Sequence, residues 1–98
     1  MAEFKERAFL ACQDSAGQLH AGPVISGTKG TVPFPTRCPV KTKPVAVVHT
    51  HPPDDVLLPS DQDIAETRRH GLALVCVVHQ DRFRCFPIHA LTQLSRHR

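Results

Sequence analysis

Two continuous apolar runs constrain the fold of this chain more than any other feature. Residues 45–48 read Val-Ala-Val-Val, and residues 72–78 read Leu-Ala-Leu-Val-Cys-Val-Val. Short apolar runs of this kind predict buried strands, and the second is typical of a central strand covered on both faces. Between them, Ser60 precedes acidic residues, two arginines and Gly71, the order expected for a capped helix that ends near Arg69. The sequence therefore predicts a strand–helix–strand unit.

Weaker patterns on both sides of this unit complete the predicted fold. Three further strands are expected, at residues 7–12, 19–26 and 82–86. Residues 30–44 hold four prolines and are predicted to be a loop with at most one edge strand, because proline cannot donate to a sheet ladder. The tail from His89 is expected to form a short helix. The predicted fold class is α/β, a single domain over residues 1–98 with a mixed β-sheet sandwiched by helices.

Length and composition exclude several classes of protein. The chain has 98 residues, enough for one domain, and its 41% hydrophobic and 21% charged residues are typical of a globular protein. No run approaches the ~20 apolar residues that a membrane helix needs. Basic residues outnumber acidic ones by 12 to 9, but they are scattered, and there is no Trp or Tyr for base stacking. We therefore expect neither nucleic acid nor a membrane as a partner.

The cysteines predict free thiols in a reducing compartment. None of the four has the C-x-x-C spacing of a thiolate zinc site; they are Cys12, Cys38, Cys76 and Cys85. Residues 1–7 contain no apolar block after their charges, so we identify no secretory signal and expect a cytoplasmic protein. A turn at Gln80 and Asp81 would place Cys76 opposite Cys85. We expect neighbouring core thiols there rather than a disulfide.

Two of the seven histidines stand at the end of a predicted strand. His49 and His51 are separated by one residue, and alternate residues of a strand point to the same side of a sheet. Asp63 lies in the first turn of the predicted helix and can supply a third ligand. Two imidazoles and one carboxylate, with the fourth position left to water, form the ligand set of catalytic zinc. The sequence thus predicts one zinc ion per chain, bound by His49, His51 and Asp63.

These residues resemble the signature of the JAMM (MPN) zinc metalloproteases, which is a glutamate on an early strand, then His-Ser/Thr-His-Pro, then Ser-x-x-Asp. The chain matches it with His49-Thr50-His51-Pro52 followed by Ser60-Asp61-Gln62-Asp63. The intervening loop, residues 52–59, is one residue longer than is usual in the family. The resemblance covers most of the chain, from Glu6 to about Phe86. It implies a minimal prokaryotic or phage-type member with a cytidine-deaminase-like core.

The resemblance also implies a role for each residue of the signature. His49, His51 and Asp63 would bind the zinc ion, and Ser60 would hydrogen-bond the substrate oxygen. Glu6, directly before an apolar strand, would take a proton from the attacking water and pass it to the leaving amine. Ser60 and Asp63 equally fit a helix capping box, which is a structural role compatible with the catalytic one.

The general base has two further candidates in the sequence. Glu3 competes with Glu6 because it also precedes the first predicted strand. Glu66 lies one helical turn after Asp63 and faces the same side, although pairing with a nearby basic residue would also explain it. Glu6 matches the family pattern best and is the predicted base.

The implied activity is hydrolysis of peptide or isopeptide bonds in a protein or peptide substrate, such as a ubiquitin-like protein. The chain is too short for the insertions that grip ubiquitin in eukaryotic relatives, so we expect a smaller, flexible or tethered peptide. The main rival is a non-catalytic MPN-like zinc-binding module that binds a partner. Degenerate members of that kind typically lose ligands, whereas this chain retains all three. A zinc hydrolase of another bond, such as a phosphoester, is a third class.

Overall fold

The computed structural model describes residues 4–28, 31–53 and 56–89. Six strands and one helix form within these ranges, and their order places the helix between the fourth and fifth strands. The elements are β1 (Arg7–Gln13), β2 (Leu19–Ala21), β3 (Ile25–Ser26), β4 (Lys43–Thr50), α1 (Asp61–Arg69), β5 (Leu74–His79) and β6 (Arg82–Pro87).

The six strands form one mixed sheet in the order β2-β1-β4-β5-β6, with β3 paired to the start of β1. β4 and β5 are parallel and are joined by the crossover that contains α1, while the other pairs are antiparallel. The predicted strand–helix–strand unit and mixed α/β sheet are therefore confirmed. Helices on both faces, and the cytidine-deaminase-like core that the family resemblance implies, stay predictions.

Two strands differ most from their predicted bounds. The strand predicted at residues 19–26 is divided into β2 and β3 around Gly22 and Pro23. Proline has no amide hydrogen for the ladder, and the backbone of Gly22 lies so close to Arg37 that an added Cβ would stand 2.3 Å from its carbonyl oxygen. β4 extends past Val48 to Thr50, so the sheet ladder holds His49 directly.

The main core lies between the sheet and α1. The helix presents Ile64 to this core and buries Thr67 beside it. The buried core residues are Leu10, Cys12, Val47, Ile64, Leu72, Val75 and Ile88, with Phe34, Cys38 and Phe86 packed against them. A second cluster of buried residues comprises Ala46, Val48 and Cys76.

Residues 31–42 lack regular secondary structure, as predicted, but they are fixed to the rest of the domain. A Cβ on Gly27 would stand 2.0 Å from the carbonyl oxygen of Thr31, so this close approach requires glycine. Farther along, the Phe34 ring stacks on the His70 ring with a centroid distance of 4.0 Å. Cys38 is joined to Cys12 of β1 by a disulfide. The segment is therefore held at both ends and in the middle.

The prediction of free thiols is wrong, because both pairs of cysteines form disulfides. Cys12 bonds Cys38, and Cys76 bonds Cys85 across the β5–β6 pair. The register prediction for the second pair is confirmed, since Cys76 faces Cys85 directly. The cytoplasmic prediction was based on the lack of a recognised secretory signal, and reduced thiols were assumed with it. The two disulfides do not fit that assumption, because structural disulfides persist in oxidising compartments.

Two further expectations concern the chain ends and membranes. The short helix expected from His89 onward falls almost wholly outside the described residues. Within the described ranges, no helix has the length and apolar character needed to cross a bilayer.

Candidate metal centre

The end of β4 brings the two predicted histidines together. β4 is paired on both sides, with β1 and β5, which fixes the backbone at His49. The ladder continues one step farther, because the His51 amide donates to the Val78 carbonyl at 2.9 Å. Both imidazoles are buried, and their Nε2 atoms lie 3.0 Å apart. The i, i+2 spacing therefore places both side chains on one side of the sheet, as predicted.

The first turn of α1 supplies the carboxylate. The Asp63 Oδ2 atom lies 2.9 Å from His49 Nε2 and 3.3 Å from His51 Nε2. The same oxygen accepts the Ser60 amide at 2.9 Å, and Ser60 Oγ accepts the Asp63 amide at 3.1 Å. This is a complete capping box, so the structural alternative for Ser60 and Asp63 is confirmed. The capping bonds fix the carboxylate where it meets both imidazoles.

These three side chains can hold a metal ion. In a tetrahedral site with metal–ligand distances of ~2.0–2.1 Å, ligand atoms are about 3.3 Å apart. The observed separations of 2.9, 3.0 and 3.3 Å leave room for a cation bonded to all three atoms after a small expansion. One imidazole pair and one carboxylate oxygen are a suitable donor set for zinc and related divalent ions.

The tautomer of His51 also fits a metal ligand. His51 Nδ1 lies 2.9 Å from the carbonyl oxygen of Val56, which can only accept. Nδ1 therefore carries a hydrogen. A metal ion can replace the hydrogen that Nε2 donates to Asp63, so that Nε2 binds the metal through its lone pair. Metal-bound histidines generally have such a partner on the second nitrogen. Nearby, His79 Nε2 contacts the Pro53 carbonyl at 3.1 Å, which connects the loop to the end of β5.

Opposing influences act on the Asp63 carboxyl group. Its burial raises the pKa, but hydrogen bonds from His49 and His51, with a further one from the Ser60 amide, outweigh burial and hold the pKa well below its usual range. The carboxylate is thus ionised across the physiological range, as a metal ligand must be.

A cavity of about 630 Å³ opens beside the three ligands. Glu6 lines it and is half-buried. This position follows from the sheet: β1 runs antiparallel to β4 with Ala8 opposite His49, so residues preceding β1 lie at the same end as the histidines. Ser60 also lines the cavity. All five predicted site residues therefore border one space.

The alternative bases are distributed differently. Glu66 lines the same cavity and forms an ion pair with Arg69, the structural role considered for it. Glu3 lies outside the described residues. The loop of residues 52–59, one residue longer than the family pattern, does not displace Asp63 from the histidines.

One wall of the cavity was not predicted as part of the site. Residues 32–35 read Val-Pro-Phe-Pro and line the same cavity as the candidate ligands. The signal in the sequence was the unbroken apolar character of these residues within a loop. Sequence reasoning could not use it, because the approach of the loop to β4 depends on the Cys12–Cys38 disulfide and the Phe34–His70 stack.

Comparison of this chain with protein-family models, curated proteins and solved structures found no match. The metal centre is therefore supported by its own geometry and chemistry.

Proposed function

We propose that this protein is a zinc-dependent hydrolase of peptide or isopeptide bonds. The observation that carries the proposal is the meeting of His49, His51 and Asp63 at 2.9–3.3 Å beside an open cavity that also contains a carboxylate and a hydroxyl. Structural zinc sites usually use four protein ligands, whereas hydrolytic sites use three and leave one position open. Among the described residues, the metal-binding group has three members.

The residues around the centre have complementary roles in this proposal. Zinc, when bound, polarises a carbonyl group and lowers the pKa of water towards ~7. The Glu6 carboxylate accepts one proton from the attacking water and delivers it to the departing amine as the C–N bond breaks and the new C–O bond forms. The Ser60 hydroxyl accepts the helix-capping bond and keeps its hydrogen to donate to the substrate oxygen.

The cavity size favours a short or flexible substrate segment. About 630 Å³ is within the ~300–1,000 Å³ range of small-ligand sites. A peptide or an exposed protein tail, including the tail of a ubiquitin-like protein, fits this scale better than a folded surface. Folded ubiquitin chains should therefore be poor substrates for these 98 residues alone.

The two disulfides bear on the compartment in which this chemistry would take place. The protein has two disulfides. Structural disulfides persist in oxidising surroundings and are rare in cytosolic proteins. We therefore infer an oxidising compartment in place of the cytoplasm.

The proposal is tested by measuring zinc content and turnover in the same variants. The wild-type protein, purified without chelator, should contain about one zinc per chain and cleave members of a synthetic peptide library detected by mass spectrometry. Glu6→Gln should retain the zinc and lose about 10²–10⁴-fold in rate, because the amide cannot accept a proton. His49→Ala should lose the zinc and the activity together.

Matched glutamate variants provide the control. Glu66→Gln removes a carboxylate from the same cavity and should leave turnover largely intact. Normal turnover by Glu6→Gln with an inactive Glu66→Gln would move the base to Glu66. A protein that takes up zinc but cleaves nothing would favour the rival, a zinc-binding interaction module.

A further inference from the structure

The lining of the cavity beside the metal centre combines two kinds of surface. Three polar or charged side chains of α1 line it, namely Gln62, Glu66 and Arg69. Its apolar lining comes from Val32, Pro33, Phe34 and Pro35, with Ala8 and Val47 of the sheet. A substrate in this space would therefore meet both polar and apolar groups.

Residues 32–35, the apolar wall of the cavity, are held in place by the rest of the domain. Phe34 stacks in parallel on His70 at 4.0 Å, which connects the segment to the end of α1. Pro35 is buried, and Thr31 is held against Gly27 by direct backbone contact. The two prolines also restrict the backbone of residues 31–35. The apolar wall is thus part of the folded domain and not a loose loop.

The core does not account for all of this apolar surface. Phe34 packs against the core, but Val32 is half-buried and Pro33 is exposed, and both border the cavity. Apolar surface of this kind gains about 25 cal/mol for each Å² that a ligand removes from water. Concave apolar sites with a few polar groups are the usual form of a binding pocket. Hence Val32 and Pro33 are positioned to contact a substrate side chain.

We propose that residues 32–34 form a side-chain subsite that selects an apolar residue adjacent to the scissile bond of a short or unfolded peptide segment. Cleavage beside this subsite rests on the proposed hydrolase function, whereas the preference for binding an apolar side chain has its own physical basis in the apolar wall. Gln62 of α1 lines the same cavity and can hydrogen-bond the backbone amides of such a peptide.

The first test measures cleavage preference. A synthetic peptide library with all residue types varied should show enrichment of aliphatic or aromatic residues at one position beside the cleaved bond. Val32→Ser should lower kcat/KM for the preferred peptides about tenfold or more and leave poor, polar substrates nearly unchanged, as expected when a hydrophobic pocket loses contact area. Val40→Ser is the matched control, because Val40 is 88% exposed and does not line the cavity.

The second test measures peptide binding in a variant that does not turn the peptide over. Immobilised, zinc-loaded Glu6→Gln protein should retain the same apolar-containing peptides from the library, and adding Val32→Ser should abolish the enrichment. Equal zinc content and equal Tm in the Val32→Ser and Val40→Ser proteins would show that the fold and metal centre are preserved.

The two ideas fail in different ways. Retention of apolar peptides without cleavage by the wild type would refute the hydrolase and support the subsite. Cleavage with no apolar preference, or with a preference that Val32→Ser leaves unchanged, would refute the subsite and support the hydrolase. Neither cleavage nor selective retention would overturn both.

Discussion

Asp63 combines a structural and a chemical role in one oxygen atom. Its Oδ2 accepts the Ser60 amide as part of the helix cap and meets the Nε2 atoms of His49 and His51. Because the cap fixes the side chain before any metal binds, little conformational freedom remains to be lost on binding. The carboxylate is therefore pre-positioned by the same bonds that begin α1.

Substitutions at Ser60 can separate its capping role from its proposed catalytic role. Ser60→Ala removes the acceptor for the Asp63 amide and should reduce the free energy of unfolding by about 1 kcal/mol, measured by urea denaturation. It also removes the hydroxyl donor, so turnover should fall while zinc content stays near one per chain.

Two substitutions complete this comparison at the same position. Ser60→Thr keeps the hydroxyl and should retain both the stability and most of the activity. Ser60→Asp keeps a cap acceptor but has no hydroxyl to donate at neutral pH, so it should be stable and slow. A Ser60→Asp variant with wild-type turnover would limit Ser60 to capping.

The three candidate metal ligands could be predicted because each follows from a local rule. His49 and His51 share a side of β4 by strand periodicity, and Asp63 follows a Ser cap at the helix start. The carbonyl of Val56 that orients His51 could not be predicted, since its position depends on the path of a loop, residues 52–59, that contains three prolines. Local periodicity thus identified the ligands but not their support.

At the scale of elements, long-range contacts decide what local patterns leave open. The patterns located β1, α1, β5 and β6 to within about two residues, since each has a clear apolar or capping signal. They did not predict how residues 31–42 pack, because that segment has no ladder and is positioned by contacts distant in sequence. The disulfides were missed for the same reason, together with the assumption of a reducing compartment.

The Cys12–Cys38 disulfide should control the cavity wall more than the Cys76–Cys85 disulfide does. The Cys12–Cys38 bond joins residues 26 positions apart, whereas the Cys76–Cys85 bond joins residues 9 positions apart. The first bond also connects the 31–42 segment to β1. By the chain-entropy model, removing the first disulfide lowers the free energy of unfolding by about 3.5 kcal/mol, and removing the second lowers it by about 2.7 kcal/mol. The two losses are close, so the difference should appear mainly in local structure.

Limited trypsin digestion can measure that local difference. Arg37 is exposed within the segment, and its cleavage requires the chain to leave its packed position. The paired variant Cys12→Ala/Cys38→Ala should be nicked at Arg37 several-fold faster than Cys76→Ala/Cys85→Ala under conditions where both are folded. Equal nicking rates would show that the Phe34 stack and backbone contacts hold the segment without the disulfide.

The whole molecule is small, and its stability depends on additions to the core. A domain of 98 residues buries only about 60–65% of its unfolded surface, so the hydrophobic contribution exceeds the entropic cost by little. Two disulfides reduce the freedom of the unfolded chain. A bound metal would add a cross-link between β4 and α1, the two elements that carry its ligands.

Zinc should therefore stabilise the entire domain, by an amount that mass action defines. A ligand that binds the folded state alone adds about 2.7 kcal/mol at a free concentration 100 times its Kd. For a domain of this size, each kcal/mol raises Tm by about 4–8 °C, so removing zinc should lower Tm by roughly 10–20 °C.

The measurement is thermal unfolding followed by circular dichroism, first with excess zinc, then with a chelator, and finally with zinc restored. His49→Ala provides the control: its Tm should be the same in all three conditions, because the loss of one imidazole leaves two ligands. An equal response of His49→Ala and the wild type would place the stabilising zinc elsewhere on the chain, and no response in the wild type would contradict the metal centre itself.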